Sequence, residues 1–398
     1  MTPTVLICCD KFKGSASSRA VASALGRGLE STGCRVLIRP LADGGDGTLE
    51  VFDDLGFRRR TARVRDSGGR PVDAEYALGT DTTESSAPAD PTAVIEGARA
   101  CGLDMVSPGG ATPSAQDARA AGSWGVGELV RAALDDGARR IILGLGGSAT
   151  TDAGFGMARA LGVEFPGVNC SSVDSVADLG DVRVVDLSHL DPRLAQVEVV
   201  IASDVRNPLC GPDGAAAVYG PQKGIAAGDV ADVDAALAHF ATVVEDALGT
   251  SYVAGRPGAG AAGGLGFMAM ALAGAQMRSG VELILEETGF ADALGRADLV
   301  VTGEGRIDSQ TLSGKAPAGV AERARGHRDH RVHGDQGVPV IAVCGENRLA
   351  ASDDGGLFTA IHALTDHEPD VAECMRNPLP ILERIGAEIG CTYVSSGP

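Results

Sequence analysis

The sequence predicts an α/β fold, and three observations carry that expectation. It opens with a strand–helix–strand–helix pattern, the unit from which parallel sheets are built. Glycine-rich loops follow several short apolar runs, at the strand ends where such sheets hold ligands. Glycine supplies 56 of 398 residues without a fixed period and aromatics only 4%, so tight turns surround a core of Ala, Val, Leu and Ile. At roughly 100–200 residues per domain, such a chain forms two or three domains.

The elements follow in order. Val5-Leu6-Ile7-Cys8-Cys9 is a continuous apolar run, a buried parallel strand. Ser15 or Ser17 caps a helix whose apolar face includes Val21, Leu25 and Leu29. Arg35–Arg39 is a second strand, ending in the acidic glycine loop Pro40–Thr48 and a short helix. Thr61–Val64 and Val72–Leu78 then alternate apolar and polar around Ser67-Gly68-Gly69, an antiparallel hairpin. Gly79–Pro91 reads as a crossing into a second domain. Strands are expected near Val94–Ile95, at Arg140–Leu143 and at Val197–Ala202, and helices near Val126–Leu134, Ala153–Leu161 and Asp229–Leu248. The opening style returns with strands at Asp298–Val301, Val338–Val343 and Phe358–Ile361, and helices at Pro317–Arg325 and Leu382–Ile389.

Lys and Arg total 34 against 53 Asp and Glu, a net charge of −19 that disfavours a general nucleic-acid role. A small anionic substrate then requires a local basic pocket. The 9 cysteines form no C-x-x-C pair, and Met1–Thr4 leads straight into a strand without a basic leader, so a reduced, cytoplasmic protein is expected. Pro257–Met277 has the length of a membrane span but is rich in Gly and is closed by Arg256 and Arg278, so no membrane association is expected.

Several loops carry chemistry. Gly144–Gly154 follows a strand and opens a helix, where backbone N–H groups converge on an anion. Within it Gly146, Gly147, Ser148, Thr150 and Thr151 offer N–H and hydroxyl donors, and Asp152 a carboxylate for Mg²⁺; the same residues also read as a plain turn with an N-cap acid. The G-x-G-x-x-G of Gly258–Gly263 lacks a convincing preceding strand, which argues against a dinucleotide site and leaves substrate cradling or close packing. Thr302–Asp308 places Glu304, Arg306 and Asp308 at one strand end, with Lys315 beyond, a group suited to a metal or a hydroxyl, or else a surface ion cluster. Lys11 and Lys13, with Ser15, stand likewise beyond the first strand and suit an anion. No Walker A loop or G-x-S-x-G motif occurs, and the kinase signature H-R-D-L-x-x-x-N is absent, since the triplet His327-Arg328-Asp329 is followed by His330 and has Gly334 at the Asn position. His327, His330 and His333 read as a solvated loop.

Asp10–Ser15, Ala42–Thr48, Gly146–Asp152, Asp204–Leu209 with Gly220–Gly224, and Thr302–Asp308 with Gln310, Thr311, Gly314 and Lys315 together resemble the bacterial type I glycerate kinase family. The blocks keep that family's order over about residues 4–345. The resemblance implies ATP-dependent phosphorylation of glycerate with Mg²⁺. It also implies two α/β domains with a cleft between them, one of them Rossmann- or flavodoxin-like and discontinuous. That places residues 1–75 plus 295–398 in one domain and 80–290 in the other. Asp43, Asp152, Asp204, Glu304 and Asp308 are then expected to line the cleft, with Asp152 and Asp204 on the metal and one acid on the attacking hydroxyl. Lys11, Lys13, Arg306 and Lys315 would bind the substrate carboxylate or the phosphates. Asp46, Thr151 and Ala153 depart from the family's usual Glu, Asn and Gly.

The expected reaction is D-glycerate plus ATP giving 2-phosphoglycerate. A 3-phospho product, a nicotinamide oxidoreductase and a non-catalytic sugar-acid sensor are the alternatives. The oligomeric state, a dimer included, is left open.

Overall fold

A computed structural model describes residues 2–80, 90–166, 176–313, 315–327, 337–349 and 356–394. The chain divides into two compact units. Unit 1 joins both chain ends, Met1–Asp43 with Val281–Pro398, and unit 2 is Gly44–Gly280.

Unit 1 is built on a five-stranded sheet of β1 (Thr4–Cys9), β2 (Arg35–Ile38), β9 (Leu299–Ile307), β10 (Val340–Asn347) and β11 (Ala360–Ala363). All four pairings are parallel and the order is β11-β10-β9-β1-β2. Numbered within the unit this is 2-1-3-4-5, the flavodoxin order, whose ligand crevice lies at the switch point between its first and third strands. Every residue of β1 is buried, which explains its unbroken apolar run. The helix Ser18–Ser31 starts at Ser17, whose hydroxyl accepts from the Ala20 N–H, so Ser17 rather than Ser15 is the cap. Its buried Val21, Leu25 and Leu29 share a core with β1 and with Ile381, Ile385 and Ile389 of the helix Pro378–Ile389. Truncating one such leucine costs about 2–5 kcal/mol.

Unit 2 holds a six-stranded sheet in the order β3-β4-β5-β6-β7-β8. Its strands are β3 (Arg58–Arg65), β4 (Pro71–Thr80), β5 (Pro91–Glu96), β6 (Arg140–Gly144), β7 (Glu198–Ala202) and β8 (Gln276–Arg278). β5 through β8 run parallel, and β3 and β4 extend them antiparallel. This corrects the expected boundary. The β3–β4 hairpin continues the sheet of unit 2, so the break falls at Asp43/Gly44, and the stretch after Thr80 connects two paired strands. The second break lies at Gly280/Val281 rather than near residue 290. The core gathers Phe155, Phe165 and Phe240, whose rings lie 4.6–5.6 Å apart, beside Leu237 and Phe267.

The glycine-rich apolar stretch folds into a 3-10 turn at Ala261–Gly264, the short helix Leu265–Ala273 and the start of β8. Among the described residues, no helix is long and apolar enough to cross a membrane. His330 and His333 lie outside the described residues.

Candidate functional site

The polar residues expected to act fall at the C-terminal ends of parallel strands in both units. In unit 1 they surround the switch point. Asp10 and Lys11 follow β1 directly. Glu304 and Arg306 lie inside β9, which runs on to Ile307 because Glu346 and Asn347 of β10 pair with Arg306 and Ile307. The Thr302–Ile307 motif is therefore strand, not the loop its glycines suggest.

Charge is concentrated here. Burial pushes the Asp10 carboxyl up to about 7, and the like charges of Asp43 and Glu304 add to it, although Lys11 and its N–H oppose the rise. Burial also raises Glu304, against a hydroxyl bond from Thr311 at 2.6 Å and the charge of Lys315. Asp308 behaves oppositely: slight burial raises it, but N–H bonds from Gln310 and Thr311 and the charges of Lys315 and Arg306 hold it below the usual range. The Arg306 guanidinium is 3.3 Å from the Asp308 carboxylate. Lys13 is exposed, and the Ser15 hydroxyl donates to the Met375 carbonyl at 2.7 Å, so Ser15 anchors its loop.

In unit 2 the loop after β6 is held by its own polar groups. Asp152 is 1% exposed. One of its oxygens accepts from the Ser123 N–H (2.9 Å), the Ser123 hydroxyl (2.7 Å) and the Gly156 N–H (3.1 Å), and the other accepts from the Gly154 N–H (3.1 Å). Three of those bonds converge on one oxygen and one falls on the other, so the carboxylate ties Ser123, Gly154 and Gly156 together. The buried Lys223 ammonium donates to the Ser148 hydroxyl at 3.1 Å and to the Thr150 carbonyl at 2.7 Å. Desolvation lowers Lys223 from 10.5 to about 8. The Thr150 hydroxyl donates to the Ala262 carbonyl at 3.2 Å, and Thr151 is buried.

Glycine lets backbones meet at this loop. Gly263 has φ +66°, and a Cβ there would strike the Thr150 carbonyl. A Cβ on Gly144 would strike the carbonyl of Gly44, in the acidic loop before the helix Thr48–Asp54. Glu96, at the end of β5, accepts from the Leu49 N–H of that helix at 2.9 Å and pairs with Arg99 at 2.8 Å. The Gly258–Gly263 stretch thus braces the Gly144–Gly154 loop, and the element before it is the helix Val230–Leu248, not a strand.

Asp43, Glu304 and Asp308 accordingly belong to unit 1, and Asp152 and Asp204 to unit 2. Asp204 is exposed just past β7. Asp10 and Lys223 were not singled out from sequence as site residues. Asp10 had a signal in its place directly after the first strand. Lys223 had one in the Pro-Gln-Lys-Gly turn, where Gly224 takes φ +94°.

A profile of the glycerate kinase family matches residues 5–394. The chain belongs to the glycerate kinase family. As a member it is a kinase. It is 41% identical to the glycerate kinase of Halalkalibacterium halodurans over 346 residues, 86% of this chain and 85% of that protein. It is 37% identical to the glycerate 2-kinase of Escherichia coli over 357 residues, 89% and 87% of the two chains. A crystal structure of a candidate glycerate kinase 2 from Salmonella typhimurium LT2 superposes with a TM-score of 0.79, 34% identity and 99% of each chain covered. Against the glycerate kinase pattern, Ala153 holds φ +53°, a left-handed conformation that suits the Gly expected there, and its N–H donates to the Gly263 carbonyl at 2.9 Å.

Proposed function

We propose that the chain transfers the γ-phosphoryl group of ATP to the 2-hydroxyl of D-glycerate, giving ADP and 2-phosphoglycerate. The observation that carries this reading is the mixed acid–lysine group at the switch point of a flavodoxin-ordered sheet, in a member of this family. The name of the Escherichia coli relative, a glycerate 2-kinase, supports the 2-position.

The carboxylates of Asp10 and Asp43, close enough to raise the Asp10 carboxyl, are hard oxygen donors of the kind that Mg²⁺ takes. Held by these residues, Mg²⁺ would supply positive charge against the phosphate oxygens. Asp152 acts first as a brace, because its carboxylate holds Ser123, Gly154 and Gly156. Asp204 keeps the role of cation ligand in unit 2. Glu304 accepts the proton of the attacking hydroxyl: burial raises its basicity and Thr311 fixes its orientation. Lys11, Lys13, Arg306 and Lys315 bind the glycerate carboxylate or phosphate oxygens, and Asp308 steadies Arg306. In unit 2, Gly146, Gly147 and Ser148 receive phosphate oxygens on a loop shaped by Thr150, Asp152 and Lys223.

The test is incubation with MgATP and D-glycerate, coupled to enolase without phosphoglycerate mutase. Immediate phosphoenolpyruvate is expected. Glycerate-dependent ADP without that signal would point to the 3-product, and no glycerate-dependent ADP would reject the reading.

A further inference from the structure

A group of metal-ligating side chains stands in unit 1 outside the acid–lysine cluster. His362 lies on β11, the edge strand of the sheet. His367 follows the short turn Leu364–Asp366, and Glu388 lies near the end of the helix Pro378–Ile389. One ligand atom from each lies within 4.8 Å of the others. The His367 Nε2 is 3.6 Å from a Glu388 oxygen. Ligands sharing a tetrahedral zinc at about 2.0–2.1 Å stand roughly 3.3 Å apart, so modest side-chain rotation completes the site.

An ordinary surface ion pair accounts for His367 and Glu388, whose side chains are 17% and 52% exposed, but not for His362. Its Nε2 is buried and has no hydrogen-bond partner among the described residues. An imidazole nitrogen left so forfeits a solvent bond with nothing in exchange. The Tyr393 ring stands perpendicular to the His362 ring, with their centroids 6.2 Å apart.

We infer that His362, His367 and Glu388 form a site for a divalent transition-metal ion, with Zn²⁺ the best fit, that ties the last helix of unit 1 to its edge strand. Two imidazoles and one carboxylate suit Zn²⁺, Co²⁺ or Ni²⁺ and discriminate against Mg²⁺, which prefers oxygen alone. Three protein ligands leave a fourth position for water. Binding here adds stability to unit 1 by mass action, independent of phosphoryl transfer.

The test is calorimetric titration of Zn²⁺ into untagged protein in excess Mg²⁺, which occupies oxygen-only sites. One Zn²⁺ per chain is expected, with a raised Tm. His367→Asn, at a part-buried position, and Glu388→Gln, at an exposed one, should each weaken binding at least about tenfold without changing glycerate-dependent turnover. Cys391→Ser should bind like the parent, since the exposed Cys391 thiol is the nearest soft competitor in sequence. No Zn²⁺ bound by the parent, equal binding in the His367 and Glu388 variants, or loss only in Cys391→Ser would overturn the inference.

Discussion

Both units place polar residues at the ends of parallel strands, yet they treat charge in opposite ways. In unit 1, Asp10 is pushed up to about 7 by burial and by the carboxylates of Asp43 and Glu304, against the opposing charge of Lys11. In unit 2, Asp152 is wholly buried and accepts from several donors, and Lys223 is bonded to the loop it supports. Crowded, partly compensated charge is poised for a ligand. Charge engaged by its own loop holds a shape. The difference teaches that equal-looking acids in a sequence can be chemistry in one place and scaffold in another.

The comparison breaks most visibly through the scaffold. Gly263→Ala should destabilise unit 2 by about 3 kcal/mol or more, because the added methyl meets the Thr150 carbonyl at a left-handed φ. A denaturation midpoint close to the parent's would show that the loop is not rigidly braced.

Asp152→Asn comes next, with a loss of about 2–4 kcal/mol, since its amide would face N–H and hydroxyl donors. Its mirror in unit 1 is Asp10→Asn, expected to lower kcat about 100-fold while leaving Tm unchanged or slightly higher, because it removes a charge facing Asp43 and Glu304. Urea melts and turnover measured on both variants decide the matter. If Asp10→Asn unfolds and Asp152→Asn only loses activity, the roles are reversed.

A pH series sharpens the contrast. Lys223 is depressed to about 8 from 10.5, so between those values the unfolded chain holds more protons and stability rises with pH. Below about 8 the buried ammonium carries a constant penalty. Lys223→Met should flatten the rise, read as the difference in urea midpoint near pH 7.5 and pH 10.

The smallest effect is expected from Ala153→Gly. Relief of the left-handed backbone, about 1 kcal/mol, nearly offsets the lost methyl burial, about 0.8 kcal/mol. A shift in Tm beyond a few degrees would show that the Ala is structurally tuned.

Much of the fold was legible in the sequence because its strands are short apolar runs. β1, β5, β6 and β7 are buried on both faces and read plainly. The hairpin was legible too, but its partner was not: alternation shows that β3 and β4 pair, not that β4 also pairs with β5. That is a tertiary choice, and it moved the domain boundary. β9 was read short because Gly303 and Gly305 resemble a loop until the pairing with β10 is known. At the site, residue type located the acids but not their surroundings. Asp152 and Glu304 look alike in the sequence; only the donors around each separate them.

The placement of β1 has a consequence for synthesis. Its residues pair with β9, Val5 lying opposite Leu299, so the central pairing of unit 1 waits for nearly three quarters of the chain. At about 5–20 residues per second that delay is roughly 15–60 s. Unit 2 is translated whole within it, while a fully apolar strand stands at the nascent terminus without its inner neighbour. The molecule therefore builds its middle first, and a ribosome that stalls before residue 299 leaves an exposed β-segment prone to pair with the wrong partner.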